Sequence, residues 1–269
     1  MKLPDPISSA ALGGNSILKE QLNKIYLVAA GDGALIDAGY VTAENRRALQ
    51  TLYDRFPFAH VFLTHGHRDH AEAAAWVAET FDCTVHIHPN ETLVGAAVDP
   101  SRLRRDLLDG ARFVFGELTL VVLHTPGHTP GHCVFHLEPL ELLFSGDLVL
   151  GEGTTWVGPP DGRMSDYLAS LRRVQQLPLR MIAPGHGPLV EGGRERVDEL
   201  IAHRLMREEQ VLTALAQGAT ELGFLVESVY PDLAAERIPL AHLTLLGHLE
   251  KLIEEGRVAR RGARYEAID

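Results

Sequence analysis

The 269-residue sequence predicts an α+β protein with a large N-terminal part of strands and helices and a small helical C-terminal part. Two observations lead to this prediction. Up to about residue 190, short apolar runs of strand type are repeatedly followed by glycine-containing loops that carry histidine or aspartate. From Arg194 onward, helical patterns are followed by a strand, a turn and a strand, which is the arrangement of a winged helix. We therefore expect two domains, at residues 1–205 and 206–269.

The first elements are a hairpin and a helix. Ile25–Val28 and Ala34–Ile36 are apolar runs joined around Gly31-Asp32-Gly33, which is typical of a hairpin. Thr42 suits the N-cap of a helix that extends to Arg55. The other elements predicted up to residue 190 are a strand over His60–Leu63, a helix over Asp69–Glu79, strands over Thr84–Ile87, Leu118–Leu123, Cys133–Leu137 and Leu142–Phe144, a helix over Met164–Gln176 and a strand over Met181–Ala183.

The C-terminal elements complete the winged-helix pattern. A long helical pattern runs from Arg194 to Gly218 and is followed by helices over Leu222–Tyr230 and His242–Glu255. Residues 256–265 then predict a strand, a turn and a strand. In the last helix, leucines at positions 243, 245, 246, 249 and 252 form an apolar stripe, which is typical of a core-facing surface.

The segment Thr64–His70, THGHRDH, places three histidines and one aspartate in six consecutive positions after a short apolar run. Neutral imidazole and carboxylate groups suit Zn²⁺ and similar divalent ions. Alternate residues of an extended loop face the same way, so we expect His65 and His67 to point toward one ion. Asp69 and His70 can turn toward a second ion about 3.5–4 Å away, the spacing of two-metal hydrolytic sites.

Four residues at other predicted strand ends extend this set. His128 lies in a loop flanked by proline and glycine, which can bring the backbone close to an ion. Asp147 is placed to bridge two cations with its two oxygens, and His186 lies between two glycines. Asp37 is expected to orient a ligand histidine through a hydrogen bond. The other histidines lack this context, and His132 is expected to be a polar residue that opens the next strand.

THGHRDH, Thr125-Pro126-Gly127-His128, Ser145-Gly146-Asp147 and Pro184-Gly185-His186-Gly187, in this order and spacing, resemble the motifs of the metallo-β-lactamase-fold hydrolases. The resemblance covers about residues 25–188 and implies an αββα sandwich, in which two sheets pack face to face with helices outside and metals at one edge. It also implies that His65, His67 and His128 hold one metal ion, that Asp69, His70 and His186 hold the other, and that Asp147 bridges them.

A closer resemblance covers nearly the whole chain. The segment Ser145–Thr155, the pair His203-Arg204 and the winged-helix tail are similar to the β-lactamase-like protein 2 branch of this family. Members of that branch include an endoribonuclease that prefers single strands, so the resemblance implies RNA as a substrate class. The sequence departs from the branch at Gly66, where many relatives carry an aromatic residue.

Two bridged cations would activate a water molecule for hydrolysis. They lower the pKa of the water from about 15.7 toward about 7, so hydroxide forms at neutral pH and attacks a carbonyl carbon or a phosphorus atom. The second metal stabilises the oxyanion. Asp69 is the expected catalytic residue, as a ligand that also accepts the proton of the nucleophile. We expect two divalent ions with Zn²⁺ favoured, although mixed histidine and aspartate sites also accept Mn²⁺ and Fe²⁺.

Three functions are compatible with these residues. The leading hypothesis is a metal-dependent hydrolase of phosphodiesters such as single-stranded RNA. One support for it is the resemblance to the branch. The other is the C-terminal hairpin, which carries Arg257, Arg260, Arg261 and Arg264, since the wings of winged helices often contact phosphates. A solvated hairpin is the alternative interpretation of these arginines. The second function is a glyoxalase-II-like thioester hydrolase with a small-molecule substrate, and the third is a regulatory winged-helix binding protein with a structural metal site.

Composition limits the partners and the location. The net charge of −11 gives no overall positive field that would attract nucleic acid or anionic lipid. No apolar stretch approaches the roughly 20 residues needed to cross a bilayer, and the N-terminus has no apolar signal core. We therefore expect a cytoplasmic protein without a membrane partner. Cys83 and Cys133 are expected to be buried thiols, and the sequence makes no prediction of the oligomeric state.

Overall fold

The computed structural model describes residues 2–13, 22–218 and 220–268. The chain divides into two compact units. The first contains residues 1–125, 131–154 and 177–194, and the second contains residues 126–130, 155–176 and 195–269. The predicted domain boundary at residues 205 and 206 falls inside one continuous helix, α5 (Gly193–Ala216), and the domain bounds stay a prediction.

The strands of the first unit form two six-stranded sheets. In sheet order, the first contains β1 (Ile7–Leu12), β2 (Asn23–Val28), β3 (Ala34–Ile36), β4 (His60–Phe62), β5 (Thr84–His86) and β6 (Leu103–Arg104). The second contains β12 (Val190–Glu191), β11 (Met181–Pro184), β10 (Leu142–Gly146), β9 (Cys133–Glu138), β8 (Leu118–His124) and β7 (Arg112–Phe115). Neighbours β3, β4 and β5 are parallel, as are β10 and β11.

The predicted hairpin and first helix are confirmed. β2 and β3 pair antiparallel, with Val28 opposite Ala34, and Gly31 and Gly33 between them have φ of 55° and 72°, a region that favours glycine. Helix α1 (Ala43–Arg55) begins after Thr42, whose side chain accepts a hydrogen bond from the Asn45 N–H.

The single helix predicted over Asp69–Glu79 is wrong, because the chain forms two helices there, α2 (Arg68–Ala71) and α3 (Ala74–Phe81). The carbonyl of His70, which a continuous helix would use, accepts instead from the N–H groups of Ala38 and Gly39 at 2.7 and 3.1 Å. Long-range hydrogen bonds therefore interrupt the helix just after the candidate ligands.

The alternation of side chains in β2 separates two cores. Tyr26 and Val28 belong to a core between the two sheets, together with residues of the second sheet such as Leu120 and Phe135. The intervening Leu27 packs on the opposite face with residues of α1 and α3. The first sheet is thus buried on both sides, with the second sheet on one face and helices on the other.

The second unit contains the predicted sequence of helices and hairpin. Its elements are α4 (Met164–Val174), most of α5, α6 (Leu222–Val229), a 3-10 turn (Ala235–Arg237), α7 (Ile238–Glu254), β13 (Val258–Arg261) and β14 (Arg264–Ala267). Leu245, Leu249 and Leu252 of the predicted leucine stripe lie in the core of this unit, beside Val211 of α5 and Tyr265 of the hairpin. Core packing therefore accounts for these three leucines.

Candidate metal centre

The candidate residues of the first unit follow the carboxyl ends of parallel strands, with Asp69 and His70 on the short helix α2. Asp37 follows β3, and the segment Thr64–His70 follows its parallel neighbour β4. In the second sheet, Asp147 follows β10 and His186 follows β11, which is also parallel to β10. The carboxyl ends of parallel strands meet at one edge of a sheet, so each sheet brings two of these groups together.

His65 and His67 face each other. Nε2 of His65 lies 3.1 Å from Nδ1 of His67, and Nδ1 of His65 lies 3.0 Å from the hydroxyl of Thr64. His65 is fully buried, whereas His67 is half-buried. Two adjacent ring nitrogens, one of them on a ring oriented by a hydroxyl group, form the start of a ligand set for one ion.

A second cluster joins the ends of both sheets. Oδ2 of Asp69 lies 3.1 Å from Nε2 of His186 and 3.7 Å from Nε2 of His70. Oδ1 of Asp147 lies 3.3 Å from Nε2 of His70 and 3.6 Å from Nε2 of His186. The ligand atoms of Asp69, His70 and His186 lie within 4.8 Å of one another, as do those of His65, His70 and Asp147. Asp147 and His70 therefore lie where the two groups of ligand atoms meet.

Asp37 contacts the ring nitrogen of His70 that faces away from the cluster and so orients this candidate ligand, as predicted. Nδ1 of His70 lies 2.8 Å from Oδ2 of Asp37, and both side chains are buried. Asp37 is itself fixed by the backbone N–H of Thr64, which donates to Oδ1 at 2.8 Å. This bond to Nδ1 leaves Nε2 of His70 facing the cluster, as in metal-binding histidines whose other ring nitrogen is held by a carboxylate.

The electrostatics of the cluster favour positive charge. Burial lowers the pKa of His70, but the carboxylates of Asp37, Asp69 and Asp147 outweigh burial and raise this pKa well above its usual value. Burial likewise lowers the pKa of His186, and Asp147 and Asp69 more than compensate. Burial raises the pKa of Asp69, but the neighbouring His70 and His186 bring it below its usual value. The site thus stabilises carboxylates and attracts cations.

Two residues of the first unit, Asn23 and His132, position the ligands through contacts that the sequence did not predict. The buried side chain of Asn23, at the start of β2, donates a hydrogen bond to the carbonyl of Asp69. Nε2 of His132 accepts from the N–H of Asp147 at 3.2 Å, and Nδ1 of His132 lies 3.0 Å from the hydroxyl of Thr125. His132 does precede β9, as expected, but its ring also holds the backbone of Asp147.

His128 belongs to the second unit. Its Nδ1 lies 2.8 Å from the carbonyl oxygen of Trp156 and 3.4 Å from the hydroxyl of Thr155. A carbonyl that holds one ring nitrogen fixes the ring orientation, as in metal-binding histidines. The participation of His128 in the metal centre stays a prediction.

The residues of the first unit fit divalent metal ions. Nε2 of His70 is buried and, within the described ranges, has no partner in hydrogen-bond geometry, although it lies 3.3 Å from Asp147 Oδ1. A buried ring nitrogen without a partner lowers the stability of the folded state unless a donor or a metal ion binds its lone pair. Imidazole and carboxylate donors also match the mixed ligand sets of catalytic metals better than the cysteine-rich sets of structural metals.

Comparison with known proteins identifies the family. Residues 21–186 match the family model described as Metallo-beta-lactamase superfamily, and residues 224–265 match that of the Beta-lactamase associated winged helix domain. Since the first match covers more than half of the chain, the protein belongs to the metallo-β-lactamase superfamily. Proteins of this superfamily are generally hydrolases and typically bind two divalent metal ions.

Particular relatives extend the similarity over most of the chain. The chain is 32% identical over 241 residues to an atrochrysone carboxyl ACP thioesterase of Aspergillus fumigatus. The aligned region covers 84% of this chain and 74% of the relative. The chain is also 30% identical over 207 residues to a β-lactamase-like protein 2 homolog of Drosophila melanogaster. This alignment covers 74% of this chain and 69% of the Drosophila protein. The crystal structure of a metallo-β-lactamase family protein from Thermus thermophilus superimposes with a TM-score of 0.81 at 26% identity, covering 97% of this chain and 98% of the other.

These comparisons confirm the predicted metallo-β-lactamase fold, the C-terminal winged helix and the resemblance to the β-lactamase-like protein 2 branch. None of the helices in the described part of the chain is long and apolar enough to cross a membrane.

Proposed function

We propose that this protein is a dinuclear metal-dependent hydrolase that cleaves thioesters. The observation that supports metal-dependent hydrolysis is the convergence of Asp69, His70, Asp147 and His186 at one edge of the two sheets. In the proposed site, His65, His67 and His128 would hold the first ion, Asp69, His70 and His186 would hold the second, and Asp147 would contact both. Zn²⁺ as the native metal and a cytoplasmic location stay predictions from the sequence.

The proposal that His128 is a metal ligand is supported by the way its loop is anchored. Residues 126–130 connect Thr125 to Gly131, and the N–H of Thr125 donates to the carbonyl of His132 at 2.8 Å, which closes the base of the loop. The adjoining His132 ring accepts from the N–H of Asp147. A loop of five residues with its base fixed beside the proposed bridging ligand supports the placement of His128 in the same site.

The chain itself contributes orientation and proton transfer to the proposed reaction. Two bound divalent ions would supply an activated water molecule and an electrophile for the substrate oxygen. Asp37 keeps Nδ1 of His70 engaged, so that only Nε2 is available for the site. Asp69, whose carbonyl is anchored by Asn23, directs Oδ2 into the cluster and is the proposed acceptor of the proton released during attack.

Two observations favour a thioester over a phosphodiester. The relative from Aspergillus fumigatus, which is similar over 84% of this chain, is an acyl-carrier-protein thioesterase by name. In addition, the chain has a net charge of −11, which opposes the approach of a polyanion. Attack on a thioester carbon needs the same activated water and oxyanion stabilisation as attack on phosphorus, so the proposed ligand set serves this reaction unchanged.

The arginines of the wing weaken the case for RNA. Three of them have carboxylate partners: Arg257 with Glu209 at 2.8 Å, Arg261 with Glu266 at 2.7 Å and Arg264 with Glu221 at 3.7 Å. The guanidinium of Arg260 lies 5.8 Å from the centre of the Tyr265 ring. Such exposed pairs contribute little stability, but each acid cancels part of the positive field that a phosphate would need.

Hydrolysis of phosphodiesters such as single-stranded RNA, the leading hypothesis from the sequence, is the second candidate. The similarity to β-lactamase-like protein 2 homologs favours it. A regulatory winged-helix protein with a structural metal is the least supported of the three, since the candidate ligands are histidines and aspartates and include no cysteine.

A substrate panel on protein of measured metal content tests the proposal. The substrates are an acyl-glutathione, an acyl-N-acetylcysteamine, an acyl carrier protein thioester and a labelled single-stranded RNA. Thiol release is followed with a chromogenic disulfide, and RNA cleavage on denaturing gels. We expect thioester turnover that His65→Ala lowers by about 100-fold or more, because a lost ligand removes metal-based stabilisation of several kcal/mol.

The matched control is His242→Ala. The His242 ring lies on α7, where its Nδ1 is 3.0 Å from the carbonyl oxygen of Ile238 in the preceding turn, so thioester turnover should be unchanged. Cleavage of RNA by metal-loaded protein that leaves all three thioesters intact would overturn the thioester assignment and support the second candidate.

A further inference from the structure

The carboxylate of Glu91 joins the backbones of two candidate-ligand loops. Oε2 accepts the N–H of Gly66 at 2.9 Å, and Oε1 accepts the N–H of Gly131 at 2.9 Å. Gly66 separates the two histidines of the first ligand loop, and Gly131 ends the loop Thr125–Gly131. Glu91 is only 5% exposed, so both bonds form away from water.

We infer that Glu91 is a positioning residue of the metal centre, which sets the distance between the His65–His67 loop and the base of the His128 loop. This inference rests on the proposed function, because it assumes that both loops carry metal ligands. Glu91 itself makes no contact with a reacting group in this assignment. Its effect passes through two backbone amides, that of Gly66 between His65 and His67 and that of Gly131 at the end of the His128 loop.

Both amides belong to glycines for a geometric reason. A Cβ at Gly131 would lie 2.8 Å from Cγ of Glu91, and a Cβ at Gly66 would lie 2.0 Å from the carbonyl oxygen of Thr92 and 3.0 Å from Oε2 of Glu91. Real Cβ atoms do not approach other atoms to 2.0 or 2.8 Å, so the close approach of Thr92 requires glycine at position 66 and that of Glu91 requires glycine at position 131.

The Glu91 segment is itself held firmly. The N–H of Glu91 donates to the carbonyl of His88 at 3.0 Å, which forms a turn after β5, and the guanidinium of Arg105 donates to the carbonyl of Glu91 at 2.9 Å. The N–H of Val94 donates to the carbonyl of Gly66 at 2.8 Å. Gly66 is thus bound through both its N–H and its carbonyl to one short segment, which makes the segment a rigid support for the ligand loop.

A carboxylate is the group that this geometry demands. Each oxygen accepts one N–H, and hydrogen bonds to a charged acceptor are about twice as strong as neutral ones. Glutamine has one carbonyl oxygen and one NH₂ group, so it must place a donor against one of the two N–H groups. Aspartate keeps both oxygens but is shorter by one methylene. Glu91→Gln therefore releases one loop, and Glu91→Asp weakens both bonds.

The test measures metal binding directly. The wild-type protein, Glu91→Gln and Glu91→Asp are stripped of metal and titrated with Zn²⁺ against a chromophoric chelator, and their metal content is measured after dialysis. We expect two ions per wild-type chain, and at least one ion bound about 10–100-fold more weakly in Glu91→Gln, as for other groups that orient ligands. Amide hydrogen exchange should also accelerate at one of the two glycines, Gly66 or Gly131, in Glu91→Gln and at both glycines in Glu91→Asp.

Glu208→Gln is the matched control. Glu208 is another buried carboxylate, 2% exposed at its side chain, and it accepts from the ammonium of Lys251 at 2.8 Å within the second unit. Its loss should lower stability without changing metal affinity. If Glu91→Gln loses stability to a similar degree but binds two ions as tightly as the wild type, Glu91 is merely structural. If the wild-type protein does not bind two ions, the proposed function fails instead. If Glu91→Gln does not fold, the metal affinity of Glu91→Asp decides whether Glu91 positions the ligands.

Discussion

The guanidinium of Arg204 donates a hydrogen bond from Nη2 to the carbonyl oxygen of Thr155 at 2.6 Å, although Arg204 is only 2% exposed. The same guanidinium lies over the ring of Tyr167, 5.2 Å from its centre. The residue after Thr155 is Trp156, whose carbonyl oxygen lies 2.8 Å from Nδ1 of His128. Within the second unit, Arg204 therefore holds the Thr155–Trp156 segment in place, and this segment orients the ring of His128, a proposed metal ligand.

Replacement of Arg204 should destabilise the second unit. Arg204→Met removes the donor to Thr155 and leaves a buried carbonyl unpaired, for an expected loss of about 2–3 kcal/mol in the free energy of unfolding. Arg204→Lys should recover only part of this loss, because an ammonium cannot stack flat on Tyr167. Urea unfolding followed by the fluorescence of Trp156, in a Trp76→Phe background, measures the effect. Arg237→Met, at an exposed position, is the control, and equal stability of Arg204→Met and the wild type would contradict the argument.

Local patterns in the sequence predicted most elements and the place of the site. The apolar run Ile25–Val28 and the glycines before Ala34 identify a hairpin, and Thr42 marks a helix start, because these signals act within a few residues. The sequence also predicted histidine or aspartate in the glycine-containing loops after several strands. Parallel pairing, which the structure shows, explains why Asp37 lies near the Thr64–His70 segment and Asp147 near His186.

What the sequence did not predict depends on partners distant in the chain. β1 (Ile7–Leu12), with the sequence ISSAAL, has a weak strand pattern and forms through antiparallel pairing with β2. The break after α2 arises because the carbonyl of His70 is used by Ala38 and Gly39. Glu91 carries no motif, and its two acceptor bonds reach residues 25 and 40 positions away. Periodicity and local turn chemistry contain no information about such contacts.

Loss of the Asp37 charge should weaken metal binding. Asp37→Asn keeps the size of the side chain but replaces one oxygen with a donor, so it cannot serve both Nδ1 of His70 and the N–H of Thr64 as the carboxylate does. We expect affinity for the second ion to fall by about 10–100-fold. Competition with a chromophoric chelator measures this affinity. Asp54→Asn, an exposed aspartate on α1, should bind both ions as the wild type does, and an unchanged affinity in Asp37→Asn would refute the orienting role.

Removal of metal should lower the thermal stability of the first unit. The half-buried carboxylate of Asp69 and the buried carboxylate of Asp147 approach His70 and His186, and bound cations would stabilise this folded arrangement only. At a free metal concentration 100 times the Kd, the expected stabilisation is about 2.7 kcal/mol. This corresponds to a rise in Tm of about 5–10 °C, which calorimetry with and without a chelator measures. Asp147→Asn should show a much smaller chelator effect, and a Tm that does not respond to metal in the wild type would contradict the site.

His203, on α5, should make the second unit sensitive to acid. Burial of its ring, together with the nearby cations Arg204 and Arg207, lowers the pKa of His203 from 6.5 to about 4. As the pH falls below 6.5, the unfolded chain takes up a proton that the folded chain does not, so stability falls between pH 6.5 and about 4 and is level below that range. Because the ring is partly exposed, screening reduces the expected loss to about 1 kcal/mol.

The pH dependence of urea unfolding in His203→Gln tests this contribution. A glutamine cannot take up the proton, so the variant should lose about 1 kcal/mol less than the wild type between about pH 7 and about pH 4.5. His242→Gln, on the neighbouring helix α7, should keep the wild-type slope, because its ring contacts a local helix carbonyl at 3.0 Å. Parallel curves for the wild type and His203→Gln over this range would mean that the His203 ring is protonated equally in the folded and unfolded chains.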